Sequence, residues 1–111
     1  MKPQEKGVLL RIFITEDEKY GHKPLYEVLV KKARELNLAG VTVLRGILGY
    51  GADSRIHSSK FLRLSEDLPL VVEIVDKEEN INKIIPFLDD TIASGLVTIE
   101  EVKVLKYGKT Q

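Results

Sequence analysis

Two helical patterns, residues 24–38 and 76–94, are separated by a stretch without helical periodicity, Gly40–Pro69. It reads as a strand VTVLRGILGYG, a polar loop ADSRIHSSK, and FLRLSEDLP leading into a further strand. Two strands in succession, with a helix on either side, leave little topological choice. Adding the apolar runs at each end of the chain gives the order strand, helix, strand, strand, helix, strand. Two right-handed crossovers joined by a hairpin then build a four-stranded antiparallel sheet with both helices on one face. The expected fold class is α+β, a ferredoxin-like βαββαβ sandwich.

The individual elements support that order. Val8–Ile14 is apolar at every position but Arg11, the mark of a strand buried on both faces or nearly so. Leu25, Val28, Leu29, Lys32, Ala33 and Leu36 recur at helical spacing, and Lys32 alone among them is not apolar. The spacing predicts a helix over Pro24–Leu38, with Pro24 in its first turn and Gly40 as the stop. The second strand, Val41–Tyr50, contains Gly46 and Gly49, which predict a bulge near Gly46 and a tight exit at Gly49–Gly51. Phe61, Leu62 and Leu64 suggest a short extension of the hairpin before Pro69.

Leu70–Val75 predicts the third strand. Asp76 is placed to cap the second helix, with Glu79 in the capping-box position, and Ile81, Ile84, Ile85, Leu88 and Ile92 carry the helix toward Ser94. Pro86 is discordant: either the helix kinks there or it begins near Asn82, with Pro86 in its early turns. Val97–Tyr107 is the last strand. One domain over 1–111, with an ordered core at 7–107, is the expected organisation.

A single helical layer leaves the other sheet face open. Arg11, Phe13, Ile47, Leu70 and Leu105 put too much apolar surface there for a solvated sheet, which predicts self-association. Arg45 lies mid-strand, and its expected partner is an acid such as Glu73 across a subunit interface.

Seventeen basic and seventeen acidic residues balance to zero net charge, which argues against a general nucleic-acid binder. The chain has no cysteine, so thiolate metal sites, disulfides and a cysteine nucleophile are excluded. Arg11 interrupts the early apolar run and nothing approaches a membrane span, so no membrane insertion and a cytoplasmic location are expected.

Arg55, His57, Lys60 and Arg63, with Ser54, Ser58 and Ser59, could form an anion site at the hairpin tip. The alternative is a solvated turn. The glycines at 40, 46, 49 and 51 could serve a phosphate or simply the backbone, since a GxG with no following helix is a weak phosphate signal. His22 and His57 with Glu16, Asp17 and Glu18 could bind a divalent ion, although no HxH or HxxxH spacing is present. Serines near His57 supply residue types for catalysis on a phosphorylated metabolite, but no carboxylate pair stands out, and no catalytic residue is assigned.

GVTVLRGILGYG resembles the strand before the T-loop of nitrogen-regulatory PII signalling proteins. More broadly, the chain from Val8 to Tyr107 is similar to a bacterial PII-like family, a domain of unknown function related to PII. The resemblance implies a homotrimer whose sheets face inward, with ligand clefts between subunits. It implies ATP, ADP or another adenine nucleotide as ligand, and a membrane transporter or enzyme as regulatory target. On the same resemblance, Gly40, Val41 and Thr42 match the segment lining the adenine. Gly49 and Gly51 match the glycines near phosphate, and Lys106 matches a basic residue on the last strand. PII proteins carry a second glycine-rich loop with a lysine before the last strand; here TIASGLVTIEE has Gly95 alone, which leaves a smaller anionic ligand open.

Overall fold

The computed structural model describes residues 5–51, 56–58 and 68–108. The suggested strand at Phe61–Leu64, most of the loop after Gly51, and the chain ends beyond these bounds lie outside the described residues. In chain order the elements are β1 (Glu5–Thr15), β2 (Lys19–Tyr20), β3 (Lys23–Pro24), α1 (Leu25–Glu35), β4 (Thr42–Arg45), β5 (Leu48–Gly49), β6 (His57–Ser58), β7 (Pro69–Asp76), α2 (Glu78–Ile81), α3 (Ile85–Thr91) and β8 (Leu96–Val104). The main sheet runs β4–β7–β1–β8 with every neighbouring pair antiparallel. This is the expected ferredoxin-like arrangement, with the first and third long strands in the middle.

β1 alternates rather than burying both faces within one chain. Val8, Leu10, Ile12 and Ile14 are buried toward the helices, while Leu9, Arg11 and Phe13 are half-buried on the other face. The register places Leu70, Val72 and Ile74 of β7 beside the first set. Leu25, Leu29 and Ala33 of α1, Ile81 of α2, Ile84 and Leu88 of α3 complete this core. Each such aliphatic side chain removed from water contributes about 1.5–3 kcal/mol before chain entropy is set against it.

Leu70 therefore does not belong to the open face: it is 3% exposed on the helical side. The open face carries Leu9, Phe13, Val71 and Val75, with Leu44 and Leu96 at the two edges. Leu44 and Leu96 are 49% and 58% exposed, so a broad apolar surface is uncovered in one chain.

Helix ends differ from expectation in informative ways. Asn37, not Gly40, ends α1: it takes the left-handed conformation at φ 59°. Leu38 N–H donates to Ala33 C=O and Asn37 N–H to Arg34 C=O, the paired bonds of a Schellman motif. Asn can adopt this backbone because its short polar side chain lowers the steric cost. Pro24 stands at the N-cap of α1, one residue before its first turn.

The second helical pattern breaks in two. Pro86 falls in the first turn of α3, where no N–H is required, and a turn at 82–84 separates α3 from α2. Asp76 is not the cap of α2, since Lys77 occupies that position without a side-chain bond. Asp76, 4% exposed, instead ties elements together. Its Oδ1 accepts from Lys77 N–H at 2.7 Å and Asn80 Nδ2 at 3.0 Å, and its Oδ2 accepts from Ala39 N–H at 2.8 Å. The turn after α1 is thereby fixed to the end of β7.

Candidate functional site

Strand β4 leaves the sheet at Gly46. Its N–H donates to Pro69 C=O at 2.7 Å, and a Cβ on Gly46 would sit 2.9 Å from Pro69 Cγ. A proline ring gives way less easily than a flexible side chain, so glycine is required here by packing. Two residues later the chain forms β5, which pairs with β6 through Leu48↔Ser58 and Gly49↔His57. The tight exit expected at Gly49 is thus the root of a separate two-stranded ribbon, and the anomaly at Gly46 is a departure from the sheet.

The ribbon's root is apolar on its exposed side. Ile47, Leu48, Tyr50 and Ile56 are 63–75% exposed. Beside it, Glu16 is anchored by its N–H to Leu68 C=O at 2.8 Å, and its Oε2 accepts from Arg45 Nη2. Arg45 therefore pairs with Glu16 in the same chain. The expected partner, Glu73, is taken by Arg11, which lies directly opposite it in register. The second oxygen of Glu16, Oε1, is buried with no hydrogen-bond partner among the described residues.

Among the described residues, one chain does not gather the sequence-predicted site residues. Thr42 is level with Glu73 and Arg11 in mid-sheet, on the open face at the β4 edge. Gly40 and Val41 precede it. Gly49 and Gly51 lie past the other end of β4, beyond the Arg45↔Leu70 pair. Lys106 follows β8, whose Val104 is level with Glu5, six residues along β1 from Arg11, or roughly 20 Å at strand spacing. The backbone of His57 lies on β6 beside Gly49, while Arg55, Lys60 and Arg63 lie outside the described residues.

Gly40 and Gly51 stand apart from the other strand-region glycines. Among the described residues, a Cβ at either would meet nothing within 4 Å, and neither has a left-handed φ. No contact among those residues demands glycine at these positions. Gly95 is different: a Cβ there would lie 2.8 Å from Phe13 C=O, so close packing of the α3–β8 turn on β1 requires it.

Charges on the open face are organised around Arg11. Its Nε donates to Glu73 Oε2 at 3.0 Å and its Nη1 to Glu100 Oε1 at 2.8 Å. The bond to Glu73 is the main cause that holds the Arg11 guanidinium above its ordinary range, with desolvation opposing it and Glu100 assisting. At the other end of the sheet, burial pushes the Tyr107 phenol up, with Asp76 and Glu5 adding to the effect. The Tyr107 hydroxyl is buried with no partner among the described residues.

The acidic loop is committed to its own backbone. Glu18 Oε1 accepts from Thr15 N–H at 3.1 Å, and Asp17 Oδ1 accepts from the Thr15 hydroxyl at 2.6 Å. Among the described residues, no three His, Asp or Glu side chains converge as a metal centre would need. No helix is long and apolar enough to cross a membrane among those residues.

Residues 7–104 match the DUF190 family, described as Uncharacterized ACR. The chain belongs to the DUF190 family. A UPF0166 protein of Aquifex aeolicus is 44% identical over 102 residues, covering 90% of this chain and 94% of that relative. Another UPF0166 protein, from Methanocaldococcus jannaschii, is 35% identical over 102 residues, covering 91% and 94%. Among solved structures, the fold is similar to CPII of Thiomonas intermedia K12, a nitrogen regulatory PII-like protein bound to ADP, AMP and bicarbonate. The TM-score is 0.67 at 14% identity, covering 94% of this chain and 92% of that one. A chain from Thermus thermophilus described as PII-like gives 0.67 at 18% identity, covering 91% of each. At such identities the likeness shows the fold: this DUF190 chain has a PII-like fold.

Sequence reasoning missed Glu16 as the partner of Arg45 in this DUF190 chain. The only signal available was an acid just past the end of β1, at the level where β4 leaves the sheet. It also missed Pro69 as the residue that makes Gly46 necessary. That contact joins residues across the whole ribbon and has no local signature.

Proposed function

We propose that this protein is a PII-like sensor: a homotrimer that binds a small anionic ligand, an adenine nucleotide, in clefts between subunits and regulates a partner protein. A membrane transporter or an enzyme is the kind of target that suits such a device. The observation that carries the reading is the pair Gly40 and Gly51, which no contact among the described residues requires to be glycine. Glycine without a local reason suits a place where a ligand or a neighbouring backbone approaches closely.

Two further observations support it. The open face combines Leu9, Phe13, Val71 and Val75 with exposed apolar edges, and a contiguous apolar surface of this kind marks an interaction face. The dispersal of Gly40–Thr42, Gly49, Gly51 and Lys106 around the sheet and the ribbon suits a site that draws on more than one copy. The bound state of CPII makes adenine nucleotides and bicarbonate the first ligands to try. A ligand-dependent change in the ribbon would supply the signal to the partner.

The test is calorimetry with ATP, ADP, AMP, phosphate and bicarbonate on the wild-type protein and on Gly51→Val. The valine's Cβ meets no neighbour among the described residues, so the melting temperature should hold while nucleotide binding is lost. Absence of heat with every ligand in the wild type would remove the sensor reading; equal binding by Gly51→Val would remove the assigned cleft.

A further inference from the structure

A cleft of about 760 Å³ opens on the outer side of the helical layer, away from the ribbon and the open sheet face. It is lined by the β2–β3 hairpin, by α1 and by Phe87 of α3. The hairpin closes through Gly21 and His22, with Gly21 at φ 64°, the left-handed backbone that the first position of a type II′ turn requires. Its strands place Tyr20 against Phe87, with ring centroids 5.8 Å apart at 60°. That geometry is an attractive tilted aromatic pair, and it holds the hairpin as a flap over α1.

Lys32 decides the chemistry. It is the one charged residue in the apolar stripe of α1, and its ammonium sits 5.2 Å from the Phe87 ring centroid. No carboxylate lies within ion-pair reach of Lys32, Lys31 or Lys23 among the described residues, although all three line the cleft. A cation resting on an aromatic face, half-sheltered and without an anion, is favourable toward a ligand that brings the anion. The apolar floor at Val28 and the two rings favour a flat apolar body. Glu27 and Glu35, one turn to either side of Lys31, oppose a polyanion, so a single negative group fits best. The volume lies within the range of small-molecule sites.

We infer that this cleft is a second ligand site, for a small planar aromatic bearing one carboxylate or phosphate group, distinct from the inter-subunit cleft. The aromatic body lies against Phe87 and Tyr20, and the anion takes Lys32 with Lys31 or Lys23. Because the flap carries Tyr20, occupancy also stiffens the β2–β3 hairpin and the acidic loop before it, which Glu16 links to Arg45 and the ribbon's root.

Amide shift perturbation with phenyl phosphate as probe tests this, with inorganic phosphate and phenol as its two halves. Phenyl phosphate should move the amides of Tyr20, Val28, Lys31, Lys32 and Phe87, and each half should bind at least about tenfold more weakly, as one lost ionic or aromatic contact implies. Lys32→Gln and Phe87→Leu, checked for an unchanged melting temperature, should each weaken phenyl phosphate by about the same factor. Shifts confined to Gly46–Gly51, unchanged binding in both variants, or no shifts at all would overturn the inference. An adenine-nucleotide titration reads a different set of amides, so failure of one site is distinguishable from failure of the other.

Discussion

Arg11 and Glu73 face each other across β1 and β7 and are joined by a 3.0 Å bond from Nε to Oε2, between the apolar pairs Leu9–Val75 and Phe13–Val71 of the open sheet face. In a single chain the two side chains are 36% and 30% exposed, so water screens the pair and it adds little to stability. If three sheets close on one another, the same group becomes a desolvated network in which removing one partner leaves buried charge uncompensated. Arg11→Met should therefore leave Glu73 and Glu100 uncompensated and split the oligomer. Light scattering across protein concentration reads the outcome. A variant that keeps its mass at all concentrations would show that this face is not the interface.

Gly46→Val should detach the ribbon from the sheet, because its Cβ collides with Pro69. Overpacking of this kind costs about 1–3 kcal/mol. Chemical denaturation should show the loss, while Gly51→Val, whose Cβ meets nothing among the described residues, should unfold as the wild type does. Equal stability of all three proteins would mean that the ribbon is not seated on Pro69.

Asp76→Ala should be among the most destabilising single changes. It removes the acceptor for Ala39 N–H, Lys77 N–H and Asn80 Nδ2 at a buried site, leaving donors unpaired at a cost on the order of 3 kcal/mol. Asp76→Asn keeps the shape and one acceptor oxygen and should recover part of the loss. If both variants melt with the wild type, the turn after α1 is held by something else.

Tyr107 governs the alkaline limb of stability. Burial raises its pKa in the folded chain, so the folded state holds the phenolic proton more tightly than the unfolded chain does. That contribution is fully present below the unfolded value near 10 and is lost as pH rises through the folded value. Spectrophotometric titration should find one of the four tyrosines ionising late, and Tyr107→Phe should flatten the decline in stability above about pH 10. A late tyrosine that persists in the variant would assign the effect elsewhere.

The order of elements could be read from the sequence because each has a local pattern of its own. The stripe of Leu25, Leu29 and Ala33 and the apolar runs of β1 and β7 need no knowledge of their neighbours, although the alternating burial of β1 appears only once the helices cover one face. Pro86 could be narrowed to two outcomes, since proline excludes the rest. What could not be read depends on pairs brought together by the fold. Arg45 lies nearer Glu16 than Glu73 because β4 pairs with β7 at Leu70, and a register is not visible in composition. Leu70 falls on the face opposite to the expected one for the same reason: a one-residue change of register moves a side chain through the sheet. Asn37 takes the stop expected of Gly40, three residues early, because a Schellman turn needs only one residue able to adopt a left-handed backbone. Lys32 is visible as the exception in an apolar stripe, but its meaning depends on Phe87, which arrives from another helix.

Native mass spectrometry of the wild-type protein with ADP tests the central claim most directly, since it reads assembly and occupancy together. The account predicts a trimer that takes up to three ADP, with the nucleotide absent from any monomer released by Arg11→Met. ADP bound equally well by the monomer, or a trimer that remains empty at saturating ADP, would contradict it.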